Sequence, residues 1–122
     1  MHRATIAILA GASALLAACN DGVCAGVGRP AFEVTVADAR TGAAIADSAV
    51  VHVYRLPGLV RVDSAASRGP ARIAAAIDQT GRFRVVVERP GYLPWSADEQ
   101  RVTATCSVDT VFLTARLVRR DG

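Results

Sequence analysis

The stretch FEVTVADARTG at residues 32–42 contains the pattern that decides the fold class. Phe32, Val34 and Val36 alternate with polar or small residues, and this two-residue period is typical of a β-strand with one buried face. Asp38 then begins a turn, because an aspartate carboxylate accepts hydrogen bonds from nearby backbone, and the glycine that closes the stretch can adopt a positive φ. The stretch therefore predicts a strand followed by a tight turn.

The same alternation returns along the rest of the chain, with turn residues between the segments. It predicts strands at 32–36, 49–54, 73–77, 82–87, 93–95, 101–105 and 110–118. The alanine run at 74–76 is also compatible with a helical turn. Since no segment has the period of an amphipathic helix, we predict an all-β fold, a seven-stranded antiparallel β-sandwich in which the last two strands pair.

The connections and buried faces follow from the same pattern. Residues 56–72 are predicted as the longest loop, with a short edge strand at 60–62, and residues 78–81 as a hairpin connection. His52 and Tyr54 are expected to face outward, because the other face of their strand is apolar. The residues expected to face the core are Ala49, Val51 and Val53, and in the last strand Val111, Leu113, Ala115 and Leu117.

Two motifs resemble those of carboxypeptidase regulatory-like domains. The first is Phe-x-Val-x-Val-x-Asp-x-x-Thr-Gly from residue 32, and the second is Asp-x-x-Gly-x-Phe-x-Val-x-Val-x-x-Pro-Gly-Tyr from residue 78. The resemblance covers about residues 31–118 and implies a prealbumin-like (transthyretin-like) sandwich. The matching positions lie in turns and strands, so the resemblance implies a fold and no particular chemistry.

The first 18 residues have the anatomy of a secretory signal peptide. His2 and Arg3 precede an apolar, uncharged run at 4–16, which is too short for a transmembrane helix. Leu-Ala-Ala-Cys at 16–19 resembles a bacterial lipobox, which implies cleavage before Cys19 and its modification with diacylglycerol and a fatty acid such as palmitate. The alternatives are an ordinary signal peptide and an N-terminal buried helix.

This N-terminus predicts four regions and a location. The regions are a lipoprotein signal peptide at 1–18, lipidated Cys19 with a short tether at 19–30, the β-sandwich at 31–118 and a tail at 119–122. Two or three acyl chains hold a protein firmly at a membrane, whereas one does not. Asn20 differs from the aspartate that resembles an inner-membrane retention signal, so we predict a lipid-anchored envelope protein in the outer membrane.

The three cysteines fit the same location. If Cys19 carries lipid, Cys24 and Cys106 remain as an even pair, and an exported compartment is oxidising enough for them to form a disulfide. Two free thiols, or pairing of Cys24 with another chain, are the alternatives. Exported relatives in the resembling family place cysteines similarly.

Charge and composition exclude several classes of function. The basic residues, 14 in number, are all arginine and are scattered over a chain of net charge +3. Nucleic-acid binding requires clustered basic charge, so no nucleic-acid partner is expected. Two distant cysteines without a histidine cluster lack the spacing of a metal site, and no cofactor motif is present, so neither metal nor cofactor is predicted.

A few residues remain as candidates for chemistry or binding. His52 is interpreted as a surface residue, and the adjacent carboxylates Asp98 and Glu99 as part of a solvated loop. Tyr92 and Trp95 form a candidate aromatic patch for a sugar, although a core or corner position is the favoured interpretation. The candidate binding loop at 56–72 has a basic character from Arg61, Arg68 and Arg72.

The function expected from these features is a non-catalytic binding or structural module on an envelope lipoprotein. The alternative is an accessory or inhibitor domain that binds an envelope protein through an exposed strand edge at 93–96, or a glycan. Transthyretin-like hydrolases of purine catabolism resemble this fold but use several histidines and a C-terminal Tyr-Arg-Gly-Ser. This chain ends Val-Arg-Arg-Asp-Gly, so no enzyme is predicted.

Overall fold

The structure is a computed structural model, and it describes residues 28–67 and 69–121. The predicted signal peptide, Cys19, Cys24 and Arg68 therefore lie outside the described residues. The described chain contains seven strands: β1 (Pro30–Asp38), β2 (Val50–Arg55), β3 (Val60–Ala66), β4 (Ile73–Ile77), β5 (Gly81–Glu88), β6 (Trp95–Val102) and β7 (Val111–Leu117). Across the same residues there is no helix long and apolar enough to cross a membrane.

The strands form two sheets, in the orders β4-β1-β7 and β3-β2-β5-β6. The prediction of an all-β fold is confirmed, and the four-stranded sheet is antiparallel. The prediction of antiparallel pairing throughout is wrong, because β7 runs parallel to β1 from the Phe32–Val111 pair to the Asp38–Leu117 pair. Alternation within one strand reports which side chains share a face and contains no information on the direction of the partner strand.

Several predicted connections are also different. Within residues 56–72, the edge strand expected at 60–62 is present and extends to residue 66 as β3, and residues 78–80 pass between the two sheets and do not close a hairpin. The predicted strands at 93–95 and 101–105 only overlap the ends of one edge strand, β6, which pairs with β5 and not with β7. The alternation is interrupted inside β6 by a bulge, where Phe83 pairs with Gln100 but Val85 pairs with Ala97.

One apolar core receives side chains from both sheets, which gives a sandwich-like arrangement. Phe32 of the three-stranded sheet meets Phe83 of the four-stranded sheet edge to face, with ring centroids 5.8 Å apart. The predicted core faces of β2 and β7 are confirmed: Ala49, Val51, Val53, Ala115 and Leu117 are buried, and Val111 and Leu113 pack against the core.

The two ends of β1 define two ends of the domain. At the end where β1 begins, which we call the tether end, the Thr110 hydroxyl donates a hydrogen bond to the Pro30 carbonyl at 2.7 Å. At the other end, the far end, the N–H of Arg120 donates to the carbonyl of Gly91 at 3.0 Å. Residues 119 and 120 are therefore paired with the turn before β6. Nine residues of strand separate the two ends by about 30 Å.

Candidate binding cleft

A polar cleft lies at the far end, where four separate segments of the chain meet. These segments are the turn after β1, the start of β2 with the residues before it, the turn between β5 and β6, and the residues after β7. Two adjoining cavities of about 390 and 530 Å³ share the lining residues Arg89, Pro90, Gly91 and Tyr92. We call the larger cavity, which Arg40, Arg119 and Asp121 also line, the arginine pocket, and the smaller one the histidine pocket.

The turn after β1 is built around Asp38, as the sequence predicts. One carboxylate oxygen of Asp38, Oδ1, accepts hydrogen bonds from the backbone N–H groups of Arg40 at 2.8 Å and Thr41 at 3.0 Å. Gly42 follows with φ +77°, a conformation that glycine adopts without the steric cost of a side chain. The aspartate therefore fixes the turn and directs the backbone of Arg40 to the edge of the cleft.

The second oxygen of Asp38 connects this turn to the floor of the cleft. It accepts a hydrogen bond from the Tyr92 hydroxyl at 2.7 Å and lies 3.4 Å from the Nε of Arg119. The Tyr92 bond first, and then the two backbone N–H bonds, hold the pKa of Asp38 far below its usual value. Asp38 is therefore a buried carboxylate, 3% exposed, that stays ionised and has a donor for each oxygen.

Two arginines contact the ring of Tyr92. The guanidinium carbons of Arg89 and Arg119 lie 5.3 and 5.7 Å from the ring centroid, within the range of a cation–π contact. Arg89 is also held by Asp47, because its Nε donates to the Asp47 carbonyl at 2.9 Å and its Nη2 lies 3.6 Å from the carboxylate. The hydrogen bond to Asp38 raises the pKa of Arg119. Each of the two guanidinium groups therefore has a carboxylate partner as well as the contact with the Tyr92 ring.

Arg40 is the third guanidinium on the wall of the arginine pocket. Within residues 28–67 and 69–121, its side chain makes no hydrogen bond and no ion pair, in contrast to Arg89 and Arg119. Asp121 is the one carboxylate among the residues that line this pocket. The pocket therefore presents three guanidinium groups from three different segments against one exposed acid.

A row of polar side chains crosses three strands, and two of its members line the histidine pocket. His52 of β2 lies opposite Ser64 of β3, and its Nδ1 is 2.7 Å from the Ser64 Oγ. On its other side, the Nε2 of His52 lies 3.4 Å from an oxygen of Glu88, which follows along β5. His52 is predicted to face outward, and it does lie on the outer face of the sheet, where these two partners contact it.

The row Ser64–His52–Glu88 contains the residue types of a hydrolytic triad. A triad also requires backbone donors that stabilise an oxyanion beside the serine. The N–H of Ser64 instead donates to the Asp63 carboxylate at 2.8 Å, and Ser64 is absent from the lining of the histidine pocket. Across the described residues, no group of three or more His, Cys, Asp or Glu side chains is placed to bind a metal.

The predicted aromatic patch does not form an exposed platform. Tyr92 is 6% exposed and occupies the corner between Asp38 and the two arginines, in agreement with the favoured interpretation. Trp95 is partly buried and packs against the core. A sugar therefore has no pair of open aromatic faces here on which to stack.

The segment 56–72, predicted as a basic loop, contains strand β3 in its middle. Arg61 lies at the tether end of that strand, whereas Arg72 precedes β4 and contacts the ring of Phe112 at 5.6 Å. Arg68 lies outside the described residues. A strand holds successive residues about 3.3 Å apart along a line, so it separates arginines that a loop can bring together.

The adjacent carboxylates and the remaining cysteine have clear positions. Asp98 and Glu99 lie in the bulge of β6, not in a loop, and they pair with Arg84 and Arg82 of β5. Cys106 lies in the exposed bend between β6 and β7. Its pairing with Cys24 stays a prediction, because Cys24 lies outside the described residues.

Sequence reasoning missed the arginines of the cleft. Arg89 precedes the Pro-Gly-Tyr turn, and Arg119 with Arg120 forms the only adjacent arginine pair, but neither feature alone indicates a site. Comparison of the sequence with protein-family models and with curated proteins finds no match. The resemblance to carboxypeptidase regulatory-like domains therefore stays a prediction from the two motifs.

Proposed function

We propose that this protein is an exported, lipid-anchored lipoprotein of the bacterial envelope, placed in the outer membrane, and that its β domain is a non-catalytic binding module. The sequence from the signal peptide to Cys19 supports the anchor. The far-end cleft supports the binding role, and it is the observation that carries the proposal. This cleft consists of two adjoining cavities, and three arginines line the larger one.

The position of the cleft suits a protein held at a membrane. Ten residues separate Cys19 from Pro30, so a tether to β1 spans at most about 35 Å. β1 begins at the tether end and reaches the cleft only at Asp38. An anchor at Cys19 would therefore be attached to the domain at the end opposite the cleft.

The predicted Cys24–Cys106 disulfide fits this arrangement. The bend that contains Cys106 is followed by Thr110, whose hydroxyl binds the carbonyl of Pro30. Cys24 is six residues before Pro30, and Cys106 is four residues before Thr110. Both segments can thus meet at the tether end, where a disulfide would secure the start of the domain. Sheets of three and four strands with a Pro-Gly-Tyr corner also support the proposed prealbumin-like fold.

Mass spectrometry of the protein isolated from bacterial membranes tests the anchor. We expect the mature chain to begin at Cys19 with a diacylglycerol and a fatty acid attached, and the variant Cys19→Ser to lose them. An unmodified Cys19, or a chain that begins elsewhere, would refute the lipoprotein. Peptide mapping without reduction tests the disulfide, and alkylation of both Cys24 and Cys106 without prior reduction would refute it.

The binding role is tested by cross-linking in intact membranes. We expect a partner molecule recovered with the wild-type chain to be lost with Arg40→Gln in the cleft. The matched control Arg61→Gln removes the same charge at the opposite end of the domain and should retain the partner. Recovery with both variants, or with neither, would refute a binding role for the cleft.

A hydrolase is the second candidate, and the row Ser64–His52–Glu88 is the observation that favours it. His52 would accept the proton of the Ser64 hydroxyl as the oxygen attacks an acyl carbon, and Glu88 would stabilise the protonated ring. The bond to the leaving group would then break as His52 returns the proton to that group, and water would hydrolyse the resulting acyl-serine ester. Labelling by a fluorophosphonate probe tests this role. Labelling that Ser64→Ala and His52→Gln abolish would establish the hydrolase, whereas an unlabelled wild-type chain excludes a reactive serine.

A further inference from the structure

We infer that the arginine pocket binds a small ligand through an anionic group, a carboxylate or a phosphate. This inference rests on the binding role in the proposed function and defines the ligand's chemical class. It is independent of the lipid anchor, because every residue that carries it lies in the described domain.

The geometry of the pocket suits a planar or tetrahedral anion. Arg40, Arg89 and Arg119 line it from the turn after β1, the end of β5 and the residues after β7. A guanidinium presents several N–H donors in a rigid fork that matches carboxylate and phosphate oxygens. Three forks around one cavity can therefore surround an anionic group from different directions.

Two of these arginines already contact other groups of the protein in the absence of a ligand. Arg89 and Arg119 each use the Nε for a contact with the protein and rest on the ring of Tyr92. A side chain that is already ordered loses little conformational entropy when it binds a ligand, and this lowers the cost of association. Arg40 has no such restraint in the described structure, and it is the residue whose charge is left for a ligand.

The carboxylates near the pocket do not cancel this charge. Asp38 is buried and already accepts four donors, so it acts behind the wall and not in the cavity. Asp47 pairs with Arg89, and Glu88 faces His52 in the neighbouring pocket. Asp121 alone lines the arginine pocket, against three guanidinium groups. The pocket is therefore positive where a ligand would lie.

The size of the cavity indicates a small ligand. About 530 Å³ is within the usual range of small-molecule sites, which is about 300–1,000 Å³. Pro90 and Gly91 form a side-chain-poor wall beside Tyr92, so the backbone there can approach a ligand closely. The chemistry thus points to a compact anionic molecule or the charged end of a longer one.

NMR titration of the full chain purified from bacterial membranes in detergent micelles tests this inference, with inorganic phosphate and succinate as separate probes and sodium chloride of equal ionic strength as the reference. We expect saturable shifts of the Nε–H signals of Arg89 and Arg119 and of the Gly91 amide. Arg40→Gln should weaken binding about tenfold. The matched control Arg61→Gln, which removes the same charge at the tether end, should leave it unchanged.

The outcomes separate the chemistry from general charge effects. Stronger binding of phosphate or of succinate supports the inference and identifies the anionic group. Shifts that sodium chloride reproduces, the absence of saturation at millimolar probe, or equal weakening by Arg40→Gln and Arg61→Gln would overturn it. If neither probe binds, but Cys19 is lipidated and a partner is cross-linked, the proposed function stands and only the anionic class of the ligand is refuted.

Discussion

The contact between Phe32 and Phe83 provides a direct test of the packing of the two sheets. Both rings are fully buried, and their edge-to-face contact joins β1 of one sheet to β5 of the other. We expect Phe32→Leu and Phe83→Leu each to lower the free energy of unfolding by about 1–3 kcal/mol. The double variant should be less destabilised than the sum by about 0.5–1.5 kcal/mol, because the first substitution already removes the aromatic contact.

Urea unfolding followed by circular dichroism measures these free energies. For a domain of this size, each kcal/mol also corresponds to about 4–8 °C in Tm. Phe112→Leu is the matched control, because this ring is 63% exposed and its loss should change stability by less than about 0.5 kcal/mol. If the costs of the two single variants add up to the cost of the double variant within about 0.3 kcal/mol, the rings do not touch. The proposed packing of the two sheets against each other through these rings would then be wrong.

Three further predictions concern Asp38 at the far end, Asp63 at the sheet edges and Gly81 at the start of β5. The pKa of Asp38 is lowered on folding, so its stabilisation is complete above the usual value of 3.8 and is lost as the pH falls below it. Tyr92→Phe should therefore lower the free energy of unfolding more at pH 7 than in acid, as measured by urea unfolding at each pH. The control Tyr54→Phe should change it little at either pH. An equal loss for Tyr92→Phe at the two pH values would contradict the hydrogen bond to Asp38. The carboxylate of Asp63 accepts hydrogen bonds from the N–H groups of Ser64 and Ala76 and so joins the edges of β3 and β4. Asp63→Ala should lower the free energy of unfolding by about 1–3 kcal/mol and speed hydrogen exchange at the Ala76 amide. Unchanged exchange at Ala76 would exclude this connection between the two strands. Gly81 has φ +130°, and a Cβ at this position would lie 2.8 Å from the Nη1 of Arg55. Gly81→Ala should therefore lower Tm. A Tm retained within about 1 °C would show that the strand tolerates the side chain.

The strands were predictable where one face of them is buried. β1, β2, β5 and β7 each place apolar residues at every second position, so their existence and buried faces follow from the pattern alone. β3 and β6 are edge strands with few buried residues, and β6 also contains a bulge at Asp98 and Glu99. Since a strand with few buried residues shows little apolar alternation, its sequence resembles a loop, and this explains the errors at 56–72 and 93–105.

The cleft was not predictable in the same way, because its residues come together only through tertiary structure. Asp38 and Tyr92 were placed in turns by their local sequence, and both turns form. No local pattern indicates that the hydroxyl of one reaches the carboxylate of the other across 54 positions of sequence. The same is true of His52 and Ser64, whose contact depends on the register between β2 and β3.

The direction of β7 is the feature that creates the arginine pocket. Because β7 runs parallel to β1, Leu117 lies beside Asp38, and the chain then continues past the far end, where Arg119 reaches the carboxylate. An antiparallel β7 would place its last residue beside the start of β1, about 30 Å away at the tether end. Arg119 would then be separated from Asp38, Arg40 and Tyr92. The error in predicted strand direction and the failure to predict the cleft therefore have a single physical cause.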